Sequence, residues 1–422
     1  MTEQGSAQLQ SDRLGDFRKL LEISRSMVAA ADLDSLLNLI VTCSTELLDA
    51  ERASVFLYDE QTGDLLSRAA VGGGGLRLPA DRGITGATVS SGMTICVPDA
   101  YADPRFNPDI DRATGFVTRS MLSMPLRGHQ GELVGVLQVI NKQGGPFDRD
   151  DVTLGETLAA QAGVAIQRAD LIQHYTQKRQ MEKAMRIAQE IQRGLLPKSP
   201  PAIEGFDISG FSLPTDETSG DTYDFLRLVD GRWMLMVADA SGHGVGSALV
   251  IAETRAMLRA VALGGADLPR ILRTVNDLLV SDLGQERFVT CFCGLLDPAA
   301  SRLTYASAGH GPLIFYRAAD DNLTQTPATD LPLGIMDGAE YRNVVDNPLS
   351  AGDFLVIITD GFLEATDPAG QAFGCGRVMD LLRRQRDRPS AEMIRALHAA
   401  VLEFTDGAPQ TDDLTAMVLR RI

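Results

Sequence analysis

A chain of 422 residues with 44% apolar, 23% charged and 5% aromatic residues has the profile of soluble globular domains and is too long for one, so two or three are expected. Its net charge of −17 opposes attraction to phosphate backbones and anionic lipid, which argues against nucleic acid and membrane partners. No apolar run reaches the ~20 residues of a membrane span, and residues 1–12 lack the features of a signal peptide, so a cytoplasmic protein is expected. Its five cysteines, Cys43, Cys96, Cys291, Cys293 and Cys375, form no zinc pattern and read as reduced core residues.

Residues 1–13 read as a flexible tail. Leu14, Phe17, Leu21, Ser24 and Val28 keep a three-four spacing, with one small polar residue among them, that predicts an amphipathic helix over 14–31, able to pack on its own domain or on a second copy. A helix over 36–48 follows, then a hairpin of strands 53–58 and 65–71 around a turn containing Gly63. The run Gly72 to Gly75 lacks the Gly-Lys-Ser/Thr ending and the following helix of a phosphate loop. Further strands are expected at 94–97, 120–126 and 133–140, and a helix starts near Asp148 to Asp151, where acidic residues suit a helix N-terminus.

That helix continues through Ala162, Ala165, Ala169 and Ile172, and a similar seam resumes at Met181, Met185, Ala188, Ile191 and Leu195 after a phase break at 176–179. A parallel coiled coil joining two domains is one reading, and a single connecting helix packed on its own chain is the other. Leu196-Pro197 ends it. The domains expected are therefore 14–170, a helical linker over 171–196, and 197–422. In the last, strands at 207–213, 224–229 and 233–238 precede helices at 245–263 and 268–283. Strands at 289–296, 303–308, 313–317, 353–359 and 414–419 follow. Grouped strands and grouped helices predict an α+β fold, with apolar runs such as 354–358 covered on both faces.

Acidic residues recur at the rims of these strands. Asp360 closes an apolar strand and precedes Gly361, and Asp239 closes another and opens Ser241-Gly242-His243-Gly244. Asp221 follows Ser219-Gly220, while Asp412-Asp413 precede the final strand. Any one of them alone reads as a turn or cap residue, but the repeated strand, Asp, Gly pattern points to a shared metal site. Carboxylate oxygens without clustered His or Cys select magnesium or manganese over zinc or copper. Two such ions ~3.5–4 Å apart can activate water and clamp phosphate oxygens, as hydrolysis of a phosphate ester requires.

Ser219-Gly220-Asp221-Thr222-Tyr223-Asp224, Asp239-Ala240-Ser241-Gly242-His243-Gly244, Ser307-Ala308-Gly309-His310, Thr359-Asp360-Gly361-Phe362-Leu363-Glu364 and Asp412-Asp413-Leu414-Thr415 occur in this order. Residues 187–422 thereby resemble bacterial serine/threonine phosphatases of the PPM superfamily, in the branch of the sporulation stage II phosphatase and the stress-response activators of partner switching. The resemblance implies two packed β-sheets flanked by helices, two Mn2+ or Mg2+ ions, and catalytic roles for Asp239, Asp360 and Asp412. Asp239 would bridge both metals, with the Ala240 carbonyl as a further ligand. Asp360 and Asp412 would hold one metal, and Asp221 would sit in or just behind the ligand set. Asp413, Gly242 and His243 would support these ligands, Asp413 by orienting Asp412. Ser219 and Thr222 replace the usual glycine and aromatic residue around Asp221. His243 and His310 are candidates for proton transfer to the leaving serine oxygen, with hydrogen-bonding of a loop as the alternative.

Residues 32–170 resemble a GAF sensory domain through Glu51-Arg52-Ala53-Ser54-Val55-Phe56-Leu57, Gly83-Ile84-Thr85-Gly86, Met121-Leu122-Ser123-Met124-Pro125-Leu126 and Gly135-Val136-Leu137-Gln138-Val139-Ile140-Asn141-Lys142. An antiparallel sheet with helices on both sides is implied. Asn141, Lys142, Phe147 and Asp151 partly match the signature of cyclic-nucleotide-binding members, where it supports the pocket, although Val152 replaces the usual Glu. A cyclic nucleotide, another small ligand and a purely dimerising role all stay open. Together the resemblances imply a homodimeric, GAF-regulated protein serine/threonine phosphatase. Its implied substrate is a phosphorylated anti-sigma-factor antagonist of the STAS type, dephosphorylated in a pathway that controls a sigma factor. A non-catalytic scaffold with the same fold is the alternative.

Overall fold

In the computed structural model, which describes residue 15 and residues 18–70, 77–284 and 287–422, the chain divides into two compact units, Met1–Gln180 and Met181–Ile422. The expected tail at 1–13, the start of the first helix and the run Gly72 to Gly75 lie outside the described residues.

The first unit opens with helix α1, described over 18–29, and helix α2, Leu33–Leu47, whose N-cap Asp32 accepts a hydrogen bond from the Ser35 amide. Strands β1 (Ala50–Asp59) and β2 (Asp64–Ala70) form the expected hairpin, with Gly63 at φ +70° supplying the left-handed turn position. Then come β3 (Arg77–Pro79), α3 (Gly83–Ser91), β4 (Ile95–Val97), α4 (Asp109–Thr114), β5 (Met121–Arg127) and β6 (Leu133–Lys142). The strands form one antiparallel sheet in the order β3-β2-β1-β6-β5-β4. Alternating side chains feed two faces. Val55, Leu122, Met124, Leu137 and Val139 pack with α1, α2 and helix α5 (Arg149–Leu195), and Phe56, Leu65 and Val136 form a smaller cluster on the other face.

The 47 residues of α5 form one helix through the phase break at 176–179, because backbone hydrogen bonds do not require an apolar seam to stay in register. Its fully buried positions end at Ile166, and Leu171, Ile172, Tyr175, Met181 and Ile191 are exposed. The cysteine expectation needs correction. Cys43, Cys291 and Cys293 are buried, whereas Cys96 is exposed and Cys375 half-buried, each on an irregularly covered element where a small side chain fits without a core position.

The second unit contains β7 (Phe206–Leu213), β8 (Asp221–Arg227), β9 (Trp233–Ala240), α6 (Val245–Leu263), α7 (Leu268–Leu283), β10 (Val289–Asp297), β11 (Arg302–Ala308), β12 (Leu313–Arg317) and β13 (Asn322–Thr326). After them come β14 (Val345–Pro348), β15 (Phe354–Ile358), α8 (Gly361–Glu364), α9 (Gly374–Gln385), α10 (Ser390–Thr405) and β16 (Leu414–Arg421). Two five-stranded antiparallel sheets, β14-β11-β10-β9-β8 and β13-β12-β15-β16-β7, face each other. Leu235, Val237, Phe292, Leu355, Ile357 and Met417 fill the space between them. The opposite side chains of the same strands, Met234, Met236 and Ala238, lie under α6 and α7, while Val356 and Ile358 lie among side chains of α8, α9 and α10. Burial on both faces explains why these runs lack polar alternation. This four-layer arrangement puts the starts of β8 and β16 and the ends of β9 and β15 together.

Candidate metal centre

Each acidic residue is placed by its strand. Asp221 at the start of β8 stands opposite Asp239 at the end of β9 in the antiparallel ladder. Both project toward the space between the sheets, the side on which Tyr223 and Val237 pack. From the other sheet, Asp360 follows β15 as the N-cap of α8, and Asp412-Asp413 lead into β16, which pairs with β15. Two carboxylates from each sheet thus meet at one end of the sandwich.

The electrostatics carry the mark of that crowding. Burial, reinforced by the charges of Asp360 and Asp412, pushes Asp239 up to about 7. Asp221, also buried, is raised well above the ordinary carboxylate range by burial and by Asp239 and Asp413. Asp360 is raised by burial and by Glu364, and Asp412 by burial and by Asp360 and Asp413. Four carboxyl groups that all resist ionisation, served only by oxygen donors, have the chemistry of a hard-cation site. Among the described residues no three His, Cys, Asp or Glu side chains converge into a closed cluster. Part of the donor capacity is turned inward: Asp221 Oδ2 accepts from the Thr359 hydroxyl at 2.8 Å.

Close backbone approaches hold the loops. A Cβ on Gly220 would stand 3.1 Å from the Ala240 carbonyl oxygen, the backbone ligand expected from the sequence. At Gly361 a Cβ would overlap the Asp413 carbonyl, so glycine is required there for contact between the β15 and β16 loops. Asp413 has a clear occupation. Its Oδ1 accepts from the Thr215 amide at 2.7 Å, and its Oδ2 accepts from the Ser219 hydroxyl and the Gly220 amide, both at 2.7 Å. It therefore ties the Asp221 loop to β16, a larger task than orienting Asp412. Asp412 Oδ1 in turn accepts from the Asp413 amide at 2.8 Å.

The two histidines differ. His243 is exposed on the Gly242–Gly244 loop, where Gly242 and Gly244 have φ of +85° and +81°, and its Nδ1 lies 3.5 Å from Asp216. His310 is 3% exposed, with Nδ1 3.1 Å from the Thr290 hydroxyl, and burial lowers it to about 4, so it is uncharged at neutral pH. Asp224, three residues beyond Asp221, is spent on Arg255 at 2.9 Å and Arg259 at 2.5 Å, which fasten α6 to the edge strand β8.

Sequence reasoning missed Gln192. Near the C-terminus of α5, its Nε2 donates to the Ser219 carbonyl at 2.5 Å while its Oε1 accepts from the Ser219 amide at 2.9 Å. A polar residue near a helix end gives no local sign of so specific a partner. In the first unit, Asn141 is buried at φ +60°, donates to Glu51 and the Val117 carbonyl, both at 2.8 Å, and accepts from the Arg119 amide at 2.6 Å. Lys142 pairs with Asp151, and Phe147 lies in the core. These residues brace the domain from within.

Residues 229–422 match the model of the Stage II sporulation protein E (SpoIIE) family, and residues 32–166 match that of the GAF domain. The chain joins a GAF domain to a SpoIIE-type serine/threonine phosphatase domain. It is 27% identical over 244 residues to "Phosphoserine phosphatase RsbU" of Bacillus subtilis (strain 168), covering 58% of this chain and 72% of that protein. It is also 32% identical over 187 residues to "Probable 3',5'-cyclic phosphodiesterase pde-5" of Caenorhabditis elegans, covering 41% of this chain and only 25% of that protein. Among solved structures, the SiaA-PP2C domain of Pseudomonas aeruginosa superposes with a TM-score of 0.50 at 26% identity, covering 58% of this chain and 98% of that one. The SpoIIE match begins after β8, so Asp221 lies upstream of it and rests on the ladder pairing with Asp239.

Proposed function

We propose that the phosphatase domain is Mn2+- or Mg2+-dependent and acts on a phosphoserine or phosphothreonine protein, under control of the GAF domain. The observation that carries this is the meeting of Asp221 and Asp239 from one sheet with Asp360 and Asp412 from the other, all with ionisation suppressed by burial and mutual charge. Asp239, Asp360, Asp412 and the Ala240 carbonyl would hold two ions, with Asp221 behind Asp239. When bound, such ions supply water activation and charge neutralisation for hydrolysis of a phosphate monoester. Asp413, Gly220 and Gly361 tie the loops that carry these residues to one another, with Gly242 shaping the loop after Asp239. His243, exposed at the rim, is the better placed of the two histidines for a leaving oxygen.

Likeness to a protein named as a phosphoserine phosphatase supports phosphoserine as substrate, and the family resemblance favours an anti-sigma-factor antagonist of the STAS type. For the GAF unit, a groove of about 440 Å3 lined by Met27, Val28, Leu36, Val164 and Ile172 supports self-association, and exposed Leu21 and Leu171 add to the apolar surface. A parallel homodimer would cover it. Asn141, Lys142, Phe147 and Asp151 would support a pocket for a cyclic nucleotide or other small ligand without touching it. The test is phosphate release from phosphorylated STAS proteins by the purified full chain, with Mn2+, Mg2+ or chelator and with or without cyclic nucleotides, alongside light scattering. Metal-dependent release is expected. The scaffold alternative draws on the open spacing of the carboxylates, and failure to bind Mn2+ at saturating concentration would favour it.

A further inference from the structure

The end of β9 carries the metal loop, and β10 runs beside it. Val289 faces Ala240 in the ladder, and the pairing extends one position further: the Ser241 amide donates to the Phe288 carbonyl at 2.9 Å, and the Phe288 amide donates to the Ser241 hydroxyl at 3.0 Å. Arg287 therefore follows in register beside Gly242, on the rim of the loop that presents Asp239 and Ala240. Its side chain lies across the first turn of α6. A Cβ on Gly246 would come within 2.8 Å of both terminal guanidinium nitrogens, so glycine there leaves the space the guanidinium uses.

This exposed cation forms no ion pair or hydrogen bond among the described residues, in a chain with 17 excess negative charges. The acidic loops beside it would repel a dianionic phosphate monoester wherever cations did not intervene. An arginine fork matches phosphate oxygens, and the adjoining Phe288 is tied to Ser241 by one backbone bond and one bond to the Ser241 hydroxyl, so Arg287 projects from backbone that is anchored to the metal loop.

Resting on the phosphatase reading, we infer that Arg287 is the residue that positions the phosphoryl group, donating N–H bonds to its oxygens and exchanging no proton with it. It would serve any phosphate monoester presented at the site, whatever protein carries it.

The test measures p-nitrophenyl phosphate hydrolysis, phosphoprotein hydrolysis, inhibition by inorganic phosphate and Mn2+ affinity for the full chain and for Arg287→Ala, Arg287→Lys and Gly246→Ala. For Arg287→Ala, KM for both substrates and the inhibition constant of phosphate are expected to rise about tenfold, with kcat nearly kept and Mn2+ affinity unchanged. Arg287→Lys should recover part of the loss. Gly246→Ala, whose methyl displaces only the end of a flexible side chain, should fold and show a smaller loss of the same kind. Unchanged KM and phosphate inhibition in Arg287→Ala would overturn the inference. So would a loss confined to the phosphoprotein, which would mean that the guanidinium reads a carboxylate of the protein substrate. An unmutated chain that hydrolyses neither substrate with Mn2+ would instead overturn the phosphatase reading.

Discussion

Asp239→Asn removes one charge from the carboxylate cluster and keeps the side-chain shape. In the chelated protein Asp239 titrates at about 7 against an ordinary 3.8, a displacement worth roughly 4 kcal/mol. The folded state holds the proton more tightly, so this contribution is fully present below the unfolded pKa and is lost as pH rises through about 7. Between pH 5.5 and 8, above the titration of ordinary carboxylates, the loss is roughly 2 kcal/mol, or about 4–8 °C in the melting temperature of a unit this size. Asp221, Asp360 and Asp412 are shifted in the same direction and add to the fall. Saturating Mn2+ would oppose it by taking the place of the protons, so stabilisation by metal should be larger at pH 8 than at 5.5. Thermal melts of the phosphatase unit, with EDTA and with Mn2+ at both pH values, measure all of this. Asp239→Asn is expected to flatten the pH dependence and abolish most of the metal stabilisation. A chelated chain equally stable at both pH values, or an unchanged slope in Asp239→Asn, would refute the reasoning.

Gln192→Ala removes both hydrogen bonds between α5 and Ser219 and should cost about 1–3 kcal/mol, with weaker Mn2+ binding in calorimetry; unchanged metal affinity would mean the Asp221 loop stands without that helix. Gly361→Ala forces a methyl against the Asp413 carbonyl, and chemical denaturation should show a loss of about 1–3 kcal/mol or more. Asn141→Ala leaves the Arg119 amide and the Val117 carbonyl without their partner, so calorimetric melts should show the GAF unit destabilised by about 2–4 kcal/mol while kcat of the phosphatase unit stays constant in the absence of GAF ligands.

The acidic centre was legible because the pattern that builds it is local: an apolar strand, an Asp at its rim and a glycine where another backbone comes close. Phe354–Ile358 followed by Asp360 and Gly361 shows all three in eight residues. What the residues could not disclose was tertiary. Asp413 resembles Asp412 in sequence, yet its carboxylate serves the amide of Gly220 and the hydroxyl of Ser219, nearly two hundred residues away. Strand β13, Asn322–Thr326, escaped notice because it is polar and pairs on one side only, where an edge strand has little need of apolar alternation. The phase break in α5 suggested a change of winding, but exposed side chains past Ile166 let the helix run on regardless of seam.

The most direct test of the metal-dependent phosphatase account is the rate of phosphate release from a phosphorylated STAS protein by the full chain, compared with Asp239→Asn and Asp360→Asn under saturating Mn2+ and under EDTA. Release that requires Mn2+ and falls by at least about a hundredfold in both variants is the expected result. Release that persists in EDTA, or that survives either substitution undiminished, would contradict the account.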